Sequence, residues 1–234
     1  MKDRIIVALD TDSPESALAT VRRLSGEVGM FKVGMELFPR GGPELVRRIR
    51  EEGSDVFLDL KFHDIPNTVA GAVRSAIAMG VRFATVHASG GKAMLAAAAG
   101  AAEGAAITLL AVTVLTSMDD ADMAEVGFSM GARGAVLRLA DLAAGSGVRG
   151  IVCSADEVAA VRDRLGSNVV LVTPGVRLPG GEAGDQKRVV TPSDAISRGA
   201  DYIVVGRPIT QAPDPVAAAR RFVEAMRAGA GGDA

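Results

Sequence analysis

The chain has 234 residues, 48% of them hydrophobic and only 3% aromatic, so its core must be built from aliphatic side chains. Its 26 Lys and Arg nearly balance 28 Asp and Glu, so no overall field draws it to nucleic acid or to an anionic membrane. The single Cys, Cys153, excludes an intrachain disulfide and fits a reducing compartment, and no apolar run approaches the roughly 18 residues of a membrane span.

The first apolar run, "IIVALD" (5–10), follows an N-terminus that turns acidic before any signal-peptide region develops, which predicts a cytoplasmic protein. Similar β-branched runs recur at 30–34, 55–60, 83–88, 108–115, 150–155, 169–175 and 202–206. Helix-like stretches separate them. "SPESALATVRRLSGE" opens on Ser13 and Pro14, a helix-start signal, and "GPELVRRIREEG" closes on a Gly. "AMLAAAAGAAEGAA" is compositionally biased but helical in propensity, and residues 228–234 read as a frayed tail. Continuous apolar strands alternating with helices indicate a parallel sheet covered on its outer face. Eight such units predict an α/β fold, a single (β/α)8 TIM barrel over residues 1–234. A doubly wound open sheet is the rival, but no G-x-G-x-x-G follows the first strand.

In a barrel, chemistry sits at the C-terminal ends of the strands. Those ends carry Asp10, Lys32 with Gly34, Asp59 with Lys61, His87, Thr116 with Ser117, Pro174, and Gly206 with Arg207. Side chains alternate along a strand. Val7, Leu9, Phe31, Val33, Leu58 and Leu60 are therefore expected to face the helices. Asp10, Lys32, Asp59 and Lys61 then converge on one mouth, with Asp64 on the loop before a helix that Pro66 starts. Each has a bland reading. Asp10 could solvate a strand end, Lys32 could snorkel to water, Asp59 and Lys61 could form a structural ion pair, and Asp64 could complement a helix dipole. Together they point to function, because a buried charge cluster is costly unless function retains it. His63 should point away from the lysines, His87 reads as a satisfied core residue, and Cys153 as a buried structural thiol. A second site suits phosphate: Gly206 permits close backbone approach and Arg207 offers a fork of donors. The preceding run "PGVRLPGGEAGDQKRVV" holds Arg177, Gln186, Lys187 and Arg188 and reads as a lid.

These residues carry a resemblance that spans essentially the whole chain. "DLKFHDIPNT", with "ALD", "FKVG", "LTSM", "TPGVR", "GDQKR" and "IVVGRPI" in that order, resembles the bacterial-type orotidine 5′-monophosphate decarboxylases. The resemblance implies a homodimeric barrel that converts orotidine 5′-monophosphate to uridine 5′-monophosphate and CO2, the last step of UMP synthesis, with no cofactor and no metal. It makes Lys61 the proton donor, flanked by Lys32, Asp59 and Asp64. Asp64, Ile65 and Thr68 would reach the neighbouring subunit's site. Asp10 and Lys32 would hold the ribose, Thr116 would lie near the pyrimidine, Asp59 and Pro174 would also bind substrate, and Arg177, Gln186, Gly206 and Arg207 would bind phosphate or close over it. The D-x-K-x-x-D core alone also suits a Mg²⁺-dependent phosphosugar decarboxylase or aldolase. A nucleotide-binding barrel without catalysis is the third reading.

Overall fold

Each of the eight apolar runs forms a strand in the computed structural model, which describes residues 1–180 and 190–230. They are β1 (Ile5–Ala8), β2 (Met30–Gly34), β3 (Asp55–Phe62), β4 (Phe83–His87), β5 (Thr108–Val112), β6 (Gly150–Val152), β7 (Val170–Thr173) and β8 (Tyr202–Val205). Every strand pairs in parallel with the next, and β8 returns to β1 through Ile5↔Ile203, Ile6↔Val204 and Val7↔Val205. The expected (β/α)8 barrel is the fold this chain adopts.

The α-helices among the described residues are α1 (Pro14–Leu24), α2 (Phe38–Glu51), α3 (Pro66–Ala78), α4 (Gly91–Ala102), α5 (Asp120–Glu125), α6 (Ala132–Gly145), α7 (Ala155–Leu165), α8 (Pro192–Ser197), α9 (Arg207–Thr210) and α10 (Pro215–Ala230). Local chemistry sets their ends. Ser13 caps α1 by accepting from the Ser16 amide at 3.2 Å, and Pro14 occupies the first turn. Asp119 and Ser154 close capping boxes on α5 and α7. Glycine 42, at φ 56°, kinks α2, so that its regular part begins at Pro43.

Period-two alternation divides the barrel into two apolar layers. Val7, Leu9, Phe31, Val33 and Leu58 pack outward against the helices, with Leu60 partly buried beside them, as the alternation requires. Ile6, Ala8, Met30, Phe57, Phe83, Leu110, Val172 and Val204 fill the interior. There Phe83 stands edge-on to Phe57 and to Tyr202, with ring centroids 6.0 and 5.2 Å apart. A Cβ at Gly150 would collide with Leu110 inside this plug. Burial of each such large apolar side chain contributes roughly 1.5–3 kcal/mol. The barrel interior below the rim is therefore filled by apolar side chains, and the cavity described below opens at the C-terminal mouth.

Several boundaries differ from the sequence expectation. The strands at 5–10, 108–115 and 150–155 stop at Ala8, Val112 and Val152, because the apolar run continues into rim loops after the ladder ends. Strand β3 instead continues two residues further than expected, to Phe62. Helix α10 runs to Ala230, so residues 228–230 of the expected tail are helical; a Cβ at Gly229 would collide with the Ser193 backbone, so this turn packs closely on α8.

Candidate active site

Strands β1, β2 and β3 are neighbours, and their ends bring four ions together. Lys32 Nζ lies 2.9 Å from Asp10 Oδ1 and 3.8 Å from Asp59 Oδ2. Lys61 Nζ donates to Asp59 Oδ1 at 2.9 Å. Asp59 thus stands between two ammonium groups, and its side chain is only 14% exposed, against 55% for Asp10 at the open end of the chain of charges. Unit charges about 4 Å apart interact by roughly 1 kcal/mol in water and about 4 kcal/mol at an effective dielectric near 20. Partial burial therefore makes this alternation of signs an ordering force on both lysines. Glycine 34 makes room for it: a Cβ there would sit 3.0 Å from Lys32 Nζ.

The backbone that presents Lys61 is irregular. Leu58 pairs with Ala84 and Phe62 with Val86, so β3 advances four residues while β4 advances two. The excess is a bulge, and within it Lys61 takes φ 51°, the sole non-glycine residue in the left-handed region among the described residues. That conformation costs an L-residue roughly 1–2 kcal/mol. Strain of this kind is kept where the surrounding structure enforces it. Opposite the bulge, the buried Thr85 hydroxyl accepts from the Lys61 amide at 2.8 Å and donates to Asp59 Oδ1 at 3.0 Å.

Above the Phe57 layer these charges open into a cavity of about 330 Å³. Thr116, Pro174, Arg177, Gly206 and Arg207 line it together with Asp10, Lys32, Asp59 and Lys61. Arg177 is 8% exposed, and its amide donates to the Val190 carbonyl at 3.0 Å beside the Val176↔Val190 bridge. Gly206 lies close to β1, where a Cβ would meet the Asp10 carboxylate at 3.7 Å. Cationic side chains thus stand at two sides of one pocket: two lysines near β2 and β3, two arginines after β7 and β8. Among the described residues, no group of three or more His, Cys, Asp or Glu side chains is arranged to hold a metal ion.

A family model described as "Orotidine 5'-phosphate decarboxylase / HUMPS family" matches residues 3–222. The chain belongs to that family. The orotidine 5'-phosphate decarboxylase of Moorella thermoacetica is 53% identical over 227 residues, a match covering 94% of this chain and 90% of its own length. The enzyme of the same name from Anaeromyxobacter sp. (strain K) is 54% identical over 224 residues, covering 96% and 98%. Among solved structures, orotidine 5'-phosphate decarboxylase from Lactobacillus acidophilus superposes with a TM-score of 0.84 at 38% identity, covering 95% of this chain and 98% of that one.

Within this orotidine 5'-phosphate decarboxylase / HUMPS chain, not every predicted site residue reaches the cavity. Asp64, Ile65 and Thr68, expected at the neighbouring subunit's site, are not among the residues that line this cavity. The Asp64 carboxylate accepts from the Ile65 amide at 2.6 Å and forms no ion pair among the described residues, and Ile65 is 68% exposed. Gln186, with Lys187 and Arg188, lies outside the described residues. His63 is exposed, and its ring stacks on His87, centroids 5.3 Å apart and planes 12° off parallel. His87 is half-buried at the rim, and its Nδ1 lies 2.7 Å from Ser89 Oγ. Burial, then the neighbouring His63 and Lys61, holds the His87 imidazole below its ordinary value of 6.5, so near neutral pH it is uncharged. Cys153 is buried as expected, though it borders the cavity. Thr85 is the site residue that sequence reasoning missed. Its one legible signal was a hydroxyl at an inward position of the run 83–88.

Proposed function

We propose that this protein decarboxylates orotidine 5′-monophosphate to uridine 5′-monophosphate, as a carboxy-lyase of pyrimidine synthesis that works without cofactor or metal. The observation that carries this reading is the Asp10–Lys32–Asp59–Lys61 chain of alternating charge, opening into the same cavity as Arg177 and Arg207. The cations near Gly206 suit a phosphate, and Asp10 with Lys32 suits the ribose hydroxyls. The pyrimidine then lies toward Lys61, with Thr116 and Pro174 beside it. Breaking the bond from the ring to the carboxylate leaves its electron pair in an sp² orbital, outside the ring's π system. Catalysis must stabilise that localised charge more than the starting carboxylate. The Lys61 ammonium, held by Asp59 before substrate arrives, supplies a preplaced positive charge. It then donates a proton to the same ring carbon as CO2 departs.

The homodimer belongs to this proposal. A two-thirds exposed Ile65 at the rim, with Met35 58% exposed nearby in the order of strands, leaves apolar surface that a second copy would cover. Asp64, Ile65 and Thr68 would then enter the partner's cavity, with Asp64 supplying the last carboxylate of the alternation.

The direct test follows orotate absorbance during incubation with orotidine 5′-monophosphate, with and without a chelator. Loss of the absorbance, unchanged by chelator, is the expected result. Inhibition by chelator would favour the Mg²⁺-dependent phosphosugar chemistry instead, and binding of uridine 5′-monophosphate without turnover would favour a nucleotide-binding barrel. The phosphate assignment makes its own prediction. Arg207→Ala should lower kcat/KM for the nucleotide by about 10²-fold or more, the scale of a lost charge-assisted contact worth roughly 3 kcal/mol. The same variant should leave the slow turnover of the phosphate-free nucleoside nearly unchanged. Equal damage to both substrates would remove Arg207 from the phosphate site.

A further inference from the structure

We infer that Thr85 is a positioning residue for the Lys61 ammonium, an inference that deepens the decarboxylase reading and rests on it. Between the Leu58↔Ala84 and Phe62↔Val86 pairs, β3 has three residues and β4 has only Thr85. A regular parallel ladder offers a backbone carbonyl to each amide that points at the neighbouring strand, but at a bulge the count fails and one amide is left over. Here that amide is Lys61's, and the Thr85 hydroxyl takes it at 2.8 Å in place of a carbonyl. A hydroxyl has one hydrogen of its own to give. It goes to Asp59 Oδ1 at 3.0 Å, the same oxygen that accepts from Lys61 Nζ at 2.9 Å.

One side chain, fully buried on a neighbouring strand, therefore grips both ends of the Asp59–Lys61 unit. It fixes the backbone of Lys61 in the left-handed region, at φ 51°, and it orients the carboxylate that aims the ammonium. Hydroxyl-bearing residues are required for this double role. Valine has the shape of threonine and fills the same interior space, but it can neither accept from the amide nor donate to the carboxylate. Serine lacks a methyl group yet keeps both hydrogen bonds. Thr85 itself is not among the residues that line the cavity. Its effect must pass through Lys61 and Asp59.

The test compares Thr85→Val and Thr85→Ser in the full-length protein. At metal sites, loss of a partner that orients a ligating group lowers activity by about 10–100-fold, and the same scale is expected for an oriented ammonium. Thr85→Val is expected to lower kcat by about tenfold or more while KM changes by less than about threefold, since the ribose and phosphate contacts are untouched. Thr85→Ser should return kcat to within about threefold of the parent. A crystal structure of Thr85→Val provides a readout independent of the reaction: Lys61 should leave the left-handed region, or its Nζ should leave Asp59 Oδ1. A smaller fall in kcat, equal impairment by both substitutions, or an unchanged Lys61 geometry in the valine variant would overturn the inference. Absence of turnover in the parent would instead sink the decarboxylase reading, and the crystallographic comparison would still decide the role of Thr85.

Discussion

Replacing Lys61 by alanine is expected to lower kcat on orotidine 5′-monophosphate by at least about 10⁴-fold. The size follows from two functions placed on one atom. Proton donation by a positioned side chain is worth about 10²–10⁴, and removal of one preorganised donor from a developing charge costs about a further 10²–10³. Neither loss can be made good by Lys32, whose ammonium is already held between Asp10 and Asp59. Binding of the product nucleotide should survive, because the arginines and the Gly206 backbone that face its phosphate are unaltered. Steady-state kinetics and product-binding calorimetry on the same preparation separate the two effects. A variant that retains kcat within about tenfold of the parent would remove Lys61 from its proposed role.

Mixing two inactive proteins should restore activity if the site is shared between subunits. Lys61→Ala chains keep Asp64, and Asp64→Ala chains keep Lys61. A hybrid dimer then has one complete site, formed by Lys61 of one chain and Asp64 of the other, and one site lacking both groups. Random reassortment makes about half of the dimers hybrids, so close to a quarter of the parental sites return. Native mass spectrometry verifies that hybrids form, and the absorbance assay reads recovery. Hybrids present without recovery would place Asp64 within its own subunit's site or outside catalysis. The geometry that motivates this is specific: Asp64 does not line the cavity of its own chain, and its carboxylate accepts from the Ile65 amide.

Much of this architecture was legible from residues. Continuous runs such as 83–88 and 202–206 can be satisfied only by strands buried on both faces, and eight of them fill a barrel. Alternation placed Asp59 and Lys61 on the same face, and they do meet there. The route was not legible. A regular strand carries successive inward residues about 6.6 Å along its axis, whereas Lys61 reaches Asp59 through a bulge and a left-handed residue. Nothing in "DLKFHD" announces either, because a bulge is defined by the partner strand's register. For the same reason Thr85 escaped notice: its importance depends on being the lone residue opposite three. Asp64 shows the opposite limit. Its spacing from Lys61 suggested membership of one cluster, but Asp64 does not line the cavity that Lys61 enters.

The two-residue surplus in β3 also constrains how this segment can change length. An even excess preserves the order of inward and outward side chains, so Phe62 still packs with the helices after the bulge. Loss or gain of a single residue between Leu58 and Phe62 would rotate every later position by half a turn, sending an aliphatic group into the mouth and an ion into oil. Loss of two would keep the order but shorten the reach, dropping the ammonium back toward Phe57. Point replacements elsewhere on the helices can drift, while this short stretch tolerates neither insertion nor deletion.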